Sequence, residues 1–162
     1  MKILVFSDTH GNYEKMREII LSHSQNTELI IHLGDLYDDV LKIRDEFPRI
    51  AFLGVRGNCD YIENPAFPQS NSITLENCTF FFTHGHMQLV KNKNYSYLLA
   101  EAKLKGAKVA LFGHTHISYL SEHNGITLFN PGSLSLPRDY CVGSYGIINV
   151  KDGKCEFNIV KL

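Results

Sequence analysis

Three times within its first sixty residues the chain runs through a short apolar stretch and then turns abruptly to polar side chains that can bind a cation. Ile3-Leu4-Val5-Phe6 leads into Ser7-Asp8-Thr9-His10, Leu29-Ile30-Ile31-His32-Leu33 into Gly34-Asp35, and Ile50-Ala51-Phe52-Leu53 into Gly54-Val55-Arg56-Gly57-Asn58-Cys59-Asp60. A short apolar run without alternation reads as a strand buried on both faces. Between the runs the spacing is helical. Tyr13, Met16, Ile20 and His23 mark one face behind Asn12 as a candidate cap, and a helix from Asp39 to Phe47 follows, stopped by Pro48. Strand–helix–strand alternation of this kind predicts a parallel sheet with crossover helices, and it gathers the polar residues at the carboxyl edge.

The second half has shorter runs and more turns. Ser72–Leu75, Thr79–Thr83, Ser118–Ser121, Ile126–Phe129, Tyr145–Val150 and Cys155–Val160 read as strands, several of them joined through Glu76-Asn77, His123-Asn124-Gly125 and Asp152-Gly153. One helix interrupts them, with Tyr95, Leu98, Leu99 and Ala102 on a face and Gly106 beyond its end. Val109-Ala110-Leu111-Phe112 then repeats the opening pattern and runs into Gly113-His114-Thr115-His116. In extended backbone, residues two apart point to the same side, so both imidazoles can face one cavity.

At 162 residues the chain is long enough for one domain, expected to span 1–162, and too short for two ordinary ones. Hydrophobic residues at 44% and charged residues at 20% exclude disorder and coiled coil, and a net charge of -1 gives no reason to expect a nucleic-acid backbone or an anionic membrane as partner. No stretch approaches the roughly 20 apolar residues of a spanning helix, and Ile3–Phe6 is too short for an export signal. A cytoplasmic location is expected. Cys59, Cys78, Cys141 and Cys155, widely spaced in such a chain, read as thiols.

Collected, the polar residues at strand ends are Asp8, His10, Asp35, Asn58, His84, His86, His114 and His116. Oxygen and imidazole donors without thiolate suit manganese, iron or zinc at a catalytic site. Their number exceeds what one cation can use, and two metals are indicated.

Asp8-x-His10, Gly34-Asp35, Gly57-Asn58-Cys59-Asp60, His84-Gly85-His86 and Gly113-His114-Thr115-His116, in this order, resemble the calcineurin-like metallophosphoesterase superfamily. The short length and Asn130-Pro131-Gly132-Ser133 look like its small YfcE-type phosphodiesterase branch. The resemblance implies a mixed α/β (α+β) fold, a four-layer αββα sandwich of two mixed β-sheets flanked by helices. It also implies one metal held by Asp8, His10, Asp35 and His116, and a second held by Asp35, Asn58, His84 and His114, with Asp35 bridging. The implied activity is hydrolysis of a small-molecule phosphodiester by attack of a metal-bridging hydroxide. Manganese is the expected metal, with iron, zinc or nickel as alternatives, and a homo-oligomer is compatible with all of this.

Many members of the superfamily carry a histidine after the metal-binding asparagine, implied to contact phosphate and protonate the leaving group. Cys59 stands there instead, and a buried, inert thiol is the expected reading. His86 is a candidate for phosphate contact or for orienting the site, and Asn58, Arg56 and Arg138 are candidate substrate contacts, since arginine's fork suits phosphate. His32, inside an apolar run, reads as a core histidine. Two other functions compete: a catalytically silent scaffold resembling the retromer subunit of this fold, and a nuclease. Filled ligand positions disfavour the first, and the lack of a basic and aromatic stripe disfavours the second.

Overall fold

The computed structural model describes residues 1–60 and 64–162. In chain order the elements are β1 (Lys2–Phe6), α1 (Tyr13–His23), β2 (Leu29–His32), α2 (Asp38–Ile43), β3 (Ala51–Gly54), β4 (Ser70–Leu75), β5 (Cys78–Thr83), α3 (Ser96–Leu104), β6 (Val109–Leu111), β7 (Ser118–His123), β8 (Ile126–Pro131), β9 (Ser144–Lys151) and β10 (Lys154–Lys161). They form two five-stranded sheets, ordered β10-β9-β1-β2-β3 and β4-β5-β6-β8-β7. Both are mixed. In the first, β1, β2 and β3 are parallel and the β9–β10 hairpin adds on antiparallel through β9. In the second, β5, β6 and β8 are parallel, with β4 and β7 antiparallel at the edges.

The unbroken apolar runs follow from burial on both faces. Ile3, Val5, Leu29 and Ile31 point between the sheets, against Phe80, Phe82, Val109, Leu111 and Phe129. Their neighbours Leu4, Phe6 and Ile30 point the other way, onto Met16, Ile19 and Ile20 of α1. Phe81, Ala110 and Leu128 pack outward on Leu98 and Ala102 of α3. Helix, sheet, sheet and helix are therefore stacked in the four layers that the resemblance implies.

Local differences have local causes. The expected helix from Asp39 to Phe47 begins one residue earlier and tightens into a 3-10 turn over Arg44–Glu46, because a pattern this short before Pro48 does not separate the two periods. Asn12 occupies the N-cap position of α1 but makes no capping bond with its side chain. The β9–β10 hairpin, read with the other strands of the second half, belongs to the first sheet. Among the described residues no helix is long and apolar enough to cross a membrane. All four cysteines are free.

His32 is fully buried in β2, and burial pulls its pKa down to about 4. The Gly34 N–H donates to its Nδ1 at 3.2 Å, which leaves Nε2–H to donate to Thr9 Oγ1 at 3.1 Å. The unfolded chain takes up this proton near the ordinary 6.5 and the folded chain only near 4, so His32 costs stability as pH falls between those values. The shift corresponds to about 3 kcal/mol. In metal-free protein, the stability advantage of wild type over His32→Gln should shrink by about that amount between pH 7 and pH 4. Urea titrations at both pH values measure it, and a constant difference would show that His32 is not held neutral.

Candidate metal centre

The carboxyl ends of parallel strands from both sheets meet at one edge and deliver the polar residues there. Asp8 and His10 follow β1, Asp35 follows β2, Asn58 follows β3, His84 and His86 follow β5, and His114 and His116 follow β6. Asp8, His10, Asp35 and His116 each offer one donor atom, all within 4.8 Å of one another, and could hold a metal ion. Beside them His84 Nε2 lies 3.1 Å from His114 Nδ1, 3.2 Å from Asn58 Oδ1 and 3.5 Å from Asp35 Oδ1. The other Asp35 oxygen, Oδ2, lies 3.8 Å from His10 Nε2. One carboxylate thus faces both groups.

The proton inventory shows whether cations fit. His84 Nδ1 is 2.7 Å from the Leu33 carbonyl and His116 Nδ1 is 2.7 Å from the Leu136 carbonyl, so each Nδ1–H donates away from the site. In the neutral rings both Nε2 atoms are then lone pairs, and they face carboxylate, amide and imidazole acceptors. Asp8 Oδ1 and His10 Nε2 are buried with no hydrogen-bond partner among the described residues. Converging acceptors repel each other unless something positive lies between them, and this donor set suits a divalent cation of intermediate softness.

The electrostatics point the same way. Burial works to raise the Asp8 carboxyl, but contact with His116, the charges of His84 and His116, and the Ser7 hydroxyl at 2.5 Å hold it below the ordinary carboxylate range. Burial works to lower His116, and its contact with Asp8 reverses that and raises it. Burial, with His84 and Lys91 adding, pulls His114 down to about 4, so this ring is neutral and ready to ligate at physiological pH.

Five of these side chains stand on left-handed backbone: Asp8 at φ 53°, His10 at 46°, Asp35 at 61°, His114 at 65° and His116 at 59°. Such conformations cost about 1 kcal/mol or more each and persist only when the surroundings enforce them. The Asp60 carboxylate enforces the turn at Asp35, accepting from the N–H of Asp35 (3.0 Å), Leu36 (2.9 Å), Tyr37 (3.1 Å) and Gly57 (2.6 Å). Buried Asp39 takes the Thr9 hydroxyl at 2.7 Å and the Gly11 N–H at 3.0 Å, pinning the turn that carries His10. Ser133 donates to the Asp8 carbonyl at 2.8 Å, and Asn130 donates to Gly113 O and Thr115 Oγ1, both at 3.0 Å. A side chain at Gly57 would collide with the Asp35 carboxylate, and one at Gly113 with Ser7 Oγ. Asp60, Asn130 and Ser133 lie inside the sequence motifs, whereas no local signal ties Asp39 to the turn it holds.

His86 borders the second group, its ring 5.4 Å from that of His84 and its buried Nδ1 without a partner among the described residues; burial lowers its pKa. Arg56 is partly buried and its charge reaches His86, while Arg138 is exposed and donates its backbone N–H to the His116 carbonyl at 2.8 Å. Cys59 corrects an expectation. It is not buried in a core but partly exposed at the mouth of the site, because its backbone N–H donates to Asp35 Oδ1 at 2.8 Å and its sulfur takes the Asn58 amide at 3.3 Å. Burial and then the Asp35 charge push the thiol up to about 11.

Comparison with known proteins bears on the family. A probable metallophosphoesterase of Bacillus subtilis, YsnB, is 31% identical over 153 residues, 94% of this chain and 86% of its own. The phosphodiesterase YfcE of Escherichia coli is 26% identical over 169 residues, covering 92% of this chain and 88% of that one. Among solved structures, a predicted phosphoesterase from Streptococcus pneumoniae superposes with a TM-score of 0.83 at 25% identity, over 99% of this chain and 88% of its own. Vps29 of Entamoeba histolytica, solved with zinc, shares the fold with a TM-score of 0.74 at 19% identity, over 99% of both chains. The family model of the calcineurin-like phosphoesterase superfamily domain matches residues 1–153, and the chain belongs to that superfamily.

Proposed function

We propose that the protein is a two-metal phosphodiesterase. Asp8, His10, Asp35 and His116 would hold one divalent cation, and Asp35, Asn58, His84 and His114 the other, with manganese as the expected metal. The observation that carries this reading is the division of Asp35, with Oδ2 turned to His10 and Oδ1 to His84. When bound, such a pair supplies positive charge to the phosphoryl oxygens and draws the pKa of water towards about 7. The chain's own contribution is placement. Leu33 and Leu136 carbonyls fix the imidazole tautomers, Asp60 fixes the Asp35 turn, and Asn58, exposed at the mouth, can meet the phosphoryl group. The charge of Arg56 reaches His86 and that of Arg138 reaches His116, where a charged fork can hold the ester oxygens.

The same fold in Vps29 keeps a non-catalytic scaffold in play, and the filled ligand set argues against it here. Protein purified with manganese present should carry two metals per chain and hydrolyse bis-p-nitrophenyl phosphate. Exhaustive chelation should remove both properties. Protein that holds no stoichiometric metal and cleaves no phosphomonoester, phosphodiester or cyclic nucleotide would support the scaffold instead.

A further inference from the structure

Next to the metal centre lies a cavity of about 430 Å³ of whose lining the roles above use Arg138 alone. Thr115, the residue between His114 and His116, is part of its wall, so the cavity opens directly beside the ligands. Val90, Ile117, Tyr95 and Tyr119 give it an apolar, partly aromatic side. The tyrosines are braced, their ring centroids 5.0 Å apart and Tyr95 resting on Phe112 at 5.4 Å. Lys91, Lys93 and Arg138 complete the lining, with no carboxylate among the lining residues. Among the described residues none of these three cations is held in an ion pair. The positive charge is also felt at the metal centre, Lys91 at His114 and Arg138 at His116.

Three cations with no ion pair among the described residues, beside a braced aromatic wall, describe a ligand with a flat ring and an anionic group. The volume is that of a small-molecule pocket, room for one such unit and not for a strand. We propose that this cavity receives one ester group of the phosphodiester and selects a nucleoside phosphate. The base would lie against Tyr95 and Tyr119, and a phosphate other than the one under attack would be held by Lys91, Lys93 and Arg138. The assignment rests on the phosphodiesterase reading for its chemistry and on the cavity for its selectivity, and the two are tested separately.

The probe for the cavity is adenosine 3′,5′-bisphosphate, titrated calorimetrically into metal-loaded wild type and into the Lys91→Gln/Lys93→Gln/Arg138→Gln variant. All three side chains are exposed, and circular dichroism verifies that the variant is folded. Wild type should bind the bisphosphate at least about tenfold more tightly than adenosine or inorganic phosphate, and the variant should lose about tenfold or more. Equal affinity for the bisphosphate and inorganic phosphate, or an unchanged affinity in the variant, overturns the proposal. In the kinetic arm, kcat/KM of the variant should fall at least about tenfold further for a dinucleotide with a terminal phosphate than for bis-p-nitrophenyl phosphate. Equal losses on the two substrates overturn it as well. A metal-loaded wild type that cleaves neither diester overturns the phosphodiesterase reading alone, and the binding titration still decides the cavity.

Discussion

Asp35→Asn is expected to lose both metals and at least about a thousandfold in diester turnover, because on the proposed two-metal reading several kcal/mol of transition-state stabilisation would depend on cations held through this one carboxylate. The expectation follows from the geometry of its two oxygens, one facing His10 and the other His84, with the Cys59 N–H fixing Oδ1 at 2.8 Å. An amide keeps the shape but loses the charge and offers a donor to one of the two groups. Asp8→Asn is different, since the donor atom of Asp8 groups with those of His10, Asp35 and His116, and it should weaken one site while the other stays occupied. Metal analysis by mass spectrometry of the wild type and both variants separates the cases. Two metals per chain at wild-type affinity in Asp35→Asn would show that the carboxylate does not bridge.

The second large effect concerns Cys59 and depends on the leaving group. p-Nitrophenolate departs as a stable anion, whereas an alkoxide such as a ribose oxygen needs a proton in the transition state. A thiol raised to about 11 is far from the ideal acid for neutral pH, and if cations draw it down it becomes a ligand instead of a donor. Cys59→Ala should therefore keep most activity on bis-p-nitrophenyl phosphate with unchanged metal content. Cys59→His, which places the superfamily's usual residue at the mouth of the site, should raise turnover of diesters with poor leaving groups by up to the 10²–10⁴-fold of a positioned acid. The discriminating result is a hundredfold loss in Cys59→Ala on the activated diester with both metals still bound, which would give the sulfur a direct part in the reaction.

Much of this arrangement is legible in the chain because the strands that carry it are buried on both faces. Runs such as Ile3–Phe6 and Val109–Phe112 have no polar position at which to end early, so the first polar residue after each marks the sheet edge. The supports are legible only in part. Asp60 sits within a recognisable motif, yet nothing local shows that its carboxylate will collect four N–H groups around the Asp35 turn. Ser133 and Asp8 are 125 residues apart, and their contact exists only once the two sheets have stacked. The sheet chosen by β9 and β10 is likewise a tertiary outcome, since hairpin residues encode the turn and not the neighbour of its outer strand. Cys59 departs from expectation for a related reason: composition favours a buried thiol, while the backbone bond to Asp35 holds this one at an opening.

The left-handed backbone at Asp8, His10, Asp35, His114 and His116 has a consequence for the life of the protein in the cell. Side chains in that region oppose folding, and the acceptors they bring together oppose it further until cations arrive. Occupancy then adds stability by mass action, in proportion to the logarithm of free metal over its dissociation constant. Metal-starved protein would spend more of its time locally open and within reach of proteases, so scarcity would shorten its half-life as well as idle its chemistry. Steady-state abundance would then track the divalent-metal supply without any dedicated sensor.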